Sequence, residues 1–128
     1  MPNTYYSSGS SFEELMGYSR AVSDGDYLHI SGTTGFDYTS MSISEDVVVQ
    51  TKQCIQNISN ILQEANLTLA NIVRVTYILP NRQDFELCWP ILREAFADHP
   101  PAATMLVAGL YDEQMKIEIQ VTAKINQH

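Results

Sequence analysis

Two periodicities of apolar and polar residues alternate along this chain of 128 residues. Residues 18–32, "YSRAVSDGDYLHISG", alternate between apolar and polar positions on both sides of the turn-forming sequence "SDGD", which predicts a β-hairpin. Residues 33–44 are rich in glycine, serine and threonine and are expected to form a flexible loop. Residues 1–16 show neither period, so we expect an irregular N-terminal segment.

A helix is predicted after the loop. Ser42 and Ser44 are capping residues that precede the acidic Glu45 and Asp46, an arrangement typical of a helix start. Inward-facing positions then recur every three or four residues, which predicts one buried helix face as far as about Ala65. This face consists of Val48, Thr51, Ile55, Ile58, Leu62 and Ala65.

A second helix is predicted over residues 83–97, with Phe85, Leu92 and Phe96 on its inner face. Pro90 lies inside this range. Because proline has no N–H group and its ring clashes with the preceding turn, we expect Pro90 to kink or shorten the helix.

Three further segments have the character of strands. Residues 72–80, "IVRVTYILP", end at a proline that closes the strand. Residues 103–110, "ATMLVAGL", and 115–125, "MKIEIQVTAKI", form a predicted hairpin around an acidic turn. The first segment has apolar residues on both faces, which indicates burial against another subunit. The apolar residues of this strand are Val73, Val75, Tyr77 and Leu79 on one face. On the other face they are Ile72 and Ile78, which lie beside Arg74 and Thr76.

The order hairpin, helix, strand, helix, hairpin favours an α+β fold, a single mixed β-sheet with two helices packed on one face. Residues 1–128 are expected to form one domain, since the chain has the length of a single hydrophobic core. The face without helices would carry Arg74 and Glu118 and would have to be covered by association.

Composition narrows the classes of partner. Fifteen acidic and seven basic residues give a net charge of −8, and the basic residues form no run, so nucleic acid and anionic membranes are unfavourable partners. The N-terminus lacks the basic and apolar parts of a signal peptide, and no segment approaches the length of a membrane span, so we expect a cytoplasmic protein. Cys54 and Cys88 lack metal-site and disulfide spacing and are expected to be buried thiols.

Glu118 is the strongest candidate for chemistry, because it lies in mid-strand between two isoleucines. A buried carboxylate has to be paired, hydrated or used as an acid or base. A structural ion pair or a solvated residue is the more frequent outcome, and a general base that orients water is the alternative.

Other candidates carry a structural interpretation beside the functional one. His29 is expected to be a hydrogen-bonded sheet residue, and Trp89 an element of helix packing or an interface anchor. Tyr18 and Arg20 lie two apart in the first strand, so they would share a face and could hold a carboxylate, although an exposed edge arginine is more common. The "GTTG" sequence from Gly32 lacks the spacing of a phosphate loop, and no histidine pair indicates a metal site.

Five segments resemble, in order, the motifs of one known family. "GYSRAV" is similar to G-P-Y-S-Q-A-V, with Arg20 for the glutamine, and "ISGTTGFD" to I-S-G-Q, with Thr33 for the glutamine. "NISNILQEANLTLANIVRVTYIL" is similar to N-I-x-x-x-L-x-x-A-G-x-x-L-x-x-V-V-K-x-T-x-F-L. "HPPAATMLVAGL" and "KIEIQVTA" stand in the places of R-P-A-R-S-x-V and V-E-I-E-A-I-A. Residues 17–125 thereby resemble the RidA/YjgF group of reactive-intermediate deaminases.

This resemblance implies a chorismate-mutase-like homotrimer with a central β-barrel and ligand clefts between subunits. In the deaminating members a tyrosine near the first strand, here Tyr18, lines the cleft, and a glutamate in the last strand, here Glu118, positions the attacking water. Gly32 and Thr33 are the corresponding residues at the strand end. The reaction converts enamines and imines to 2-keto acids and ammonia, with no cofactor and no metal.

The family's carboxylate-binding arginine is replaced by Ala103, and an asparagine of the second helix by Trp89. Because a charge-assisted contact contributes about 1.5–3 kcal/mol, we expect no standard 2-aminoacrylate deamination. We expect instead a role in binding or sensing a neutral or weakly acidic metabolite, with the backbone of Thr104 and Met105 available for hydrogen bonds. Two alternatives stay open, an imine deaminase in which Arg20 supplies the missing cation and a non-enzymatic interaction or regulatory protein.

Overall fold

The computed structural model describes residues 2–126, which form three α-helices packed with strands. The helices are α1 (Ser11–Met16), α2 (Val47–Glu64) and α3 (Phe85–Phe96). The strands are β1 (Thr4–Tyr6), β2 (Ala21–Ser23), β3 (Tyr27–Thr34), β4 (Phe36–Asp37), β5 (Ser42–Ile43), β6 (Ile72–Leu79), β7 (Ala102–Val107) and β8 (Glu118–Lys124). Six of these strands form one mixed sheet in the order β1-β2-β3-β8-β6-β7, and β4 and β5 form a separate ribbon.

The two long helices cover one face of the sheet, as predicted. Both contribute to a single hydrophobic core together with the inward-facing residues of β3, β6 and β8. Cys54 of α2 and Cys88 of α3 are both fully buried free thiols, which confirms their predicted placement. The fold is therefore a two-layer α+β arrangement, with α2 and α3 both on the same face of the sheet.

α2 begins one residue after its N-cap, Asp46, whose side chain accepts hydrogen bonds from the backbone N–H groups of Val48 and Val49 at 2.7 and 3.3 Å. The predicted serine caps are thus replaced by the next acidic residue, which fills the same role. The buried face is also wider than predicted, because it includes Gln50 and Asn57.

α3 continues without interruption through Pro90, so the expected shortening is wrong. Proline removes one backbone hydrogen bond, but the packing of Cys88, Leu92 and Phe96 against the core holds the helix together across that position. Phe85 is only partly buried.

The N-terminal hairpin is confirmed, with Ala21 paired to Ile30 and Ser23 to Leu28 across an antiparallel register. It is shorter than predicted, since β2 starts at Ala21 and Tyr18 lies in the preceding loop. Residues 1–16 are not irregular where they are described, because they contain β1 and α1. The loop at 33–44 contains the β4–β5 ribbon rather than only flexible chain.

The predicted C-terminal hairpin is wrong. β7 pairs with β6 in parallel, and β8 pairs with β6 on its other side and with β3. β6 therefore lies between the two strands that were expected to be neighbours. The connection at 108–117 is long enough to pass one strand, and a βαβ unit through α3 places β7 parallel to β6.

The two faces of β6 also differ from the prediction. A register irregularity between Ile72 and Arg74 turns Ile72 into the core, where it is 3% exposed, and leaves Val73 42% exposed. A bulge of this kind shifts the alternation by one residue. The face away from the helices therefore receives Ile78 from β6 but not Ile72.

Within the part of the chain that the structure describes, no helix combines the length and the hydropathy required to cross a membrane.

Candidate functional site

Glu118 is the first residue of β8, and its carboxylate lies against Gly32 of β3. A Cβ atom placed on Gly32 would lie 2.7 Å from Cδ and 2.9 Å from Oε1 of Glu118. Glycine is thus required there for the carboxylate to approach the backbone closely. Among residues 2–126, the carboxylate of Glu118 has no hydrogen-bond donor and no ion-pair partner.

Burial acts on the acidity of this carboxyl group. Partial desolvation raises the pKa of Glu118, and the positive charge of Arg20 opposes that rise without cancelling it. A carboxyl group with a raised pKa beside an open surface is a candidate proton donor or acceptor.

Arg20 connects the loop between α1 and β2 to the end of β3. Its guanidinium is 1% exposed. Nη1 donates to the carbonyl of Gly32 at 2.8 Å and to Oγ1 of Thr33 at 3.2 Å, and Nη2 donates to the hydroxyl of Tyr18 at 3.0 Å. The guanidinium also lies over the ring of Tyr38 at 4.8 Å from its centroid, a cation–π distance. Tyr18 and Arg20 therefore meet as predicted, but inside the protein and not on an exposed edge.

Glu13 of α1 is the ionic partner of Arg20, with Oε2 3.4 Å from Nε. The same carboxylate accepts hydrogen bonds from the hydroxyl of Ser7 at 2.8 Å, from the hydroxyl of Ser8 and from the backbone N–H of Ser8. Burial alone would raise the pKa of Glu13, but the bonds from Ser8 and Ser7, together with the charge of Arg20, lower it below its usual value. Glu13 is therefore held as an anion.

The hydroxyl of Tyr18 accepts the bond from Arg20, and its own hydrogen has no acceptor among the described residues. Burial raises the pKa of Tyr18; the charge of Arg20 opposes this rise, and the charges of Glu13 and Glu118 add to it. The phenol stays protonated at neutral pH and is available to donate. We call Tyr18, Arg20, Gly32 and Glu118 the Glu118 site.

A second group of candidate residues lies elsewhere in the same chain. Ala103 and Trp89 line a cavity of about 330 Å³ between α3 and β7, with Tyr77, Phe85, Arg93 and Pro101. Phe85 contacts Tyr77 at 5.5 Å and Trp89 at 6.0 Å between ring centroids. We call this the aromatic cavity. Trp89 is 44% exposed, so it packs on α3 and also faces the open cavity.

The sheet register separates these two groups. Ala103 is aligned with Val75 and therefore faces the helices, whereas Glu118 is aligned with Ile78 and faces away from them. Thr104 lies on the face of Glu118, where its hydroxyl accepts a weak bond from Arg74 at 3.4 Å, and Met105 packs toward the core. Within one chain, the predicted site residues thus form two sites on opposite faces of the sheet.

Two surfaces of the sheet are left without cover. β7 is an edge strand, and its apolar Leu106 and Val107 are each 48% exposed. We call the face away from α2 and α3 the open face. It carries Arg74, Thr76, Ile78, Thr104, Leu106, Glu118, Gln120 and Thr122. His29 lies at its margin and is bonded through Nε2 to Asp24 at 2.9 Å, which confirms its structural interpretation.

Sequence reasoning missed Glu13 and Tyr38, which complete the surroundings of Arg20. Glu13 lies in a helix of six residues, too short to show a period. Tyr38 follows β4 in a segment without regular alternation, and its hydroxyl accepts from the backbone N–H of Thr34 at 2.9 Å. The only available signal was the need of a buried arginine for an acidic partner.

Comparison with known proteins places this geometry in a family. The model described as Endoribonuclease L-PSP, which represents the YjgF/RidA family, matches residues 8–125. The chain belongs to the RidA/YjgF family. Its curated relatives include a RutC family protein of Pyrococcus abyssi, 30% identical over 83% of this chain and 84% of the relative. The human 2-iminobutanoate/2-iminopropanoate deaminase is 30% identical over 83% of this chain and 78% of its own.

Solved structures of the family share the fold. A member of the YjgF/YER057c/UK114 family from Mycobacterium tuberculosis superposes with a TM-score of 0.86 at 30% identity, covering 97% of this chain and all of the other. Yeast Mmf1 superposes with a TM-score of 0.87 at 23% identity, covering 98% and 100% of the two chains, and supports the fold alone. The α+β architecture is therefore that of the RidA/YjgF family.

Proposed function

We propose that this protein binds a small metabolite at the Glu118 site, in clefts between the subunits of a homotrimer, and lacks the standard imine deaminase activity of its family. The observation that carries the proposal is the carboxylate of Glu118. It is partly buried beside Gly32 and has neither a donor nor a cation bonded to it among residues 2–126. Its oxygens keep contact with solvent, since no fully buried side-chain oxygen among residues 2–126 lacks a hydrogen-bond partner, so the carboxylate is open to a donor group of a ligand.

Assembly is supported by the distribution of uncovered surface. Within residues 2–126, β7 has a free edge with exposed Leu106 and Val107, and neither α2 nor α3 lies over the open face. An exposed edge strand can pair with another chain, and exposed apolar patches mark interaction sites. Since Ala103 and Glu118 face opposite sides of one sheet, a second copy is required to bring the aromatic cavity to a Glu118 site. The central β-barrel belongs to this proposal.

Loss of standard deamination is supported by the cations near the two groups of residues. Ala103 carries no charge, and Arg93, which lines the aromatic cavity, lies on α3 and not at the position of the family's arginine. The guanidinium of Arg20 is 1% exposed and already bonded to Glu13, Gly32, Thr33 and Tyr18. Such a guanidinium has little capacity left for a substrate carboxylate. Its relocation as the carboxylate anchor is thus the weaker alternative.

Imine deamination is kept as a second candidate because two curated mammalian relatives are named as 2-iminobutanoate/2-iminopropanoate deaminases. An endoribonuclease, the activity in the name of the family model, is disfavoured by the net charge of −8. We retain a cytoplasmic location as part of the proposal, although a yeast relative is named as mitochondrial. An interaction or regulatory protein that retains the cleft only for assembly is the third candidate.

Three measurements separate these candidates. Light scattering coupled to chromatography is expected to give three times the chain mass of 14.4 kDa, and a monomer would contradict the cleft. Imines generated in place by an amino-acid-processing enzyme are expected to release keto acid no faster with the protein than without it. Acceleration that disappears in Glu118→Gln would establish the deaminase instead. Failure of every small amide, ketone and carboxylic acid to raise the melting temperature would favour the interaction protein.

A further inference from the structure

We infer that the ligand of the Glu118 site is an uncharged amide, which Tyr18 and Glu118 bind as a donor and acceptor pair. Glu13 makes the site discriminate against carboxylate ligands. This inference rests on the proposed function and names the chemical class of its ligand. It follows from the hydrogen-bonding capacity left unused at the site and from the balance of charge around it.

Hydrogen-bonding capacity of Tyr18 and Glu118 is left unused within one chain. Nη2 of Arg20 donates to the hydroxyl of Tyr18 at 3.0 Å, which directs the phenolic hydrogen away from the guanidinium. That hydrogen has no acceptor in residues 2–126, and the carboxylate of Glu118 has no donor there. One free donor beside one free acceptor complements an amide, whose carbonyl accepts and whose N–H donates.

Tyr18 and Glu118 are connected through Arg20 and Gly32. Arg20 is bonded both to Tyr18 and to the carbonyl of Gly32, and the carboxylate of Glu118 also lies against Gly32. The charge of Glu118 also contributes to the raised pKa of Tyr18, although burial is the larger cause. The two groups therefore act on one small region of the surface.

The charged groups around Tyr18 do not balance. Three charged groups act on Tyr18, namely Arg20, Glu13 and Glu118. Glu13 lies 3.4 Å from Nε of Arg20 and is held as an anion by Ser7 and Ser8. Because Glu13 neutralises Arg20, the negative charge of Glu118 is left in excess. Within one chain, a ligand carboxylate would meet that excess charge, whereas an amide of the same shape would not.

The aromatic cavity contains a further cation, Arg93, but within one chain this cavity and Glu118 lie on opposite sides of the sheet, so it does not alter the balance of a single chain. Glu13 is therefore a specificity-determining residue that acts through Arg20. It is distinguished by position from Glu14, its exposed neighbour on α1, which has no bond to Arg20.

The test compares propanamide with propanoate, two probes of nearly equal shape, by NMR titration of the full chain. Wild-type protein is expected to bind propanamide at least about tenfold more tightly than propanoate, a difference of about 1.4 kcal/mol. Glu13→Gln is expected to reduce this preference about fivefold or more, because it releases the positive charge of Arg20. Glu14→Gln removes the same charge from the same helix and is expected to leave the preference unchanged.

Equal or tighter binding of propanoate by the wild type would overturn the inference and leave the proposed small-molecule site in place. Equal effects of Glu13→Gln and Glu14→Gln would overturn the role of Glu13. Binding of neither probe would overturn the amide assignment; the proposed function would fail with it only if the wider ligand panel also failed. Should Glu13→Gln fail to fold, Glu118→Gln tests the excess negative charge on which the amide preference rests. It is expected to weaken propanamide and strengthen propanoate, and an unchanged ratio would overturn the inference.

Discussion

Replacement of Arg20 by methionine is expected to destabilise the protein strongly, because Arg20 connects three parts of the chain. The variant removes the donors to the carbonyl of Gly32, the hydroxyl of Thr33 and the hydroxyl of Tyr18, and the cation beside Glu13. Methionine fills much of the volume, so the loss measures polar contacts more than packing.

The magnitude follows from the partners that remain. Removing one member of a buried ion pair costs about 3–5 kcal/mol when the other charge is left without compensation. Glu13 keeps three donors from Ser7 and Ser8, so the lower end of this range applies. We therefore expect the free energy of unfolding to fall by about 3 kcal/mol.

Urea unfolding at one fixed protein concentration measures this loss, since an oligomer's stability depends on concentration. Arg82→Met is the matched control, because Arg82 is exposed and forms no ion pair within residues 2–126. The control is expected to change stability by less than about 0.5 kcal/mol. A loss in Arg20→Met no larger than that of the control would refute the assignment of Arg20 as the connecting residue.

Three further predictions concern Gly32, Gly35 and Glu118. Gly32→Ala is expected to displace the Glu118 carboxylate and abolish ligand binding with little loss of melting temperature, since its Cβ meets only the end of a flexible side chain; retained binding would contradict the close approach. Gly35→Ala is expected to lower the free energy of unfolding by about 1–3 kcal/mol, because its Cβ would lie 2.5 Å from Cα of Gln50; an unchanged urea midpoint would contradict this packing. Glu118 has a raised pKa, mainly through burial, so the stability it contributes is fully present below its ordinary pKa of 4.5 and is lost as pH rises through the folded-state value. Glu118→Gln should remove that dependence from unfolding curves, and an unaltered pH profile would count against it.

Local features of the sequence predicted the helices well. The spacing of apolar residues and the capping residues before α2 act over a few residues. The ends of α2 were therefore predicted to within about two residues. The turn at "SDGD" likewise predicted the pairing of β2 with β3.

Non-local pairing could not be read in the same way. β7 and β8 are close in sequence, but β6 lies between them, because a βαβ connection and a longer crossing loop were each compatible with the same pattern. The irregularity at Ile72 was also invisible, since a bulge changes the phase of alternation without changing composition.

Only part of the candidate site followed from the residues. Glu118 was found because a carboxylate interrupts an apolar alternation, and Tyr18 and Arg20 because they are two positions apart. Glu13 was not found, because its contact with Arg20 depends on how a six-residue helix folds back on β2 and β3.

A map of ligand binding on the wild-type protein tests the Glu118 site most directly. Backbone amide NMR shifts should be recorded during titration with a panel of small amides, ketones and carboxylic acids. We expect concentration-dependent shifts centred on Tyr18, Gly32 and Glu118, and their absence in Glu118→Gln. Shifts confined to other surfaces, with those three residues unaffected, would contradict this expectation.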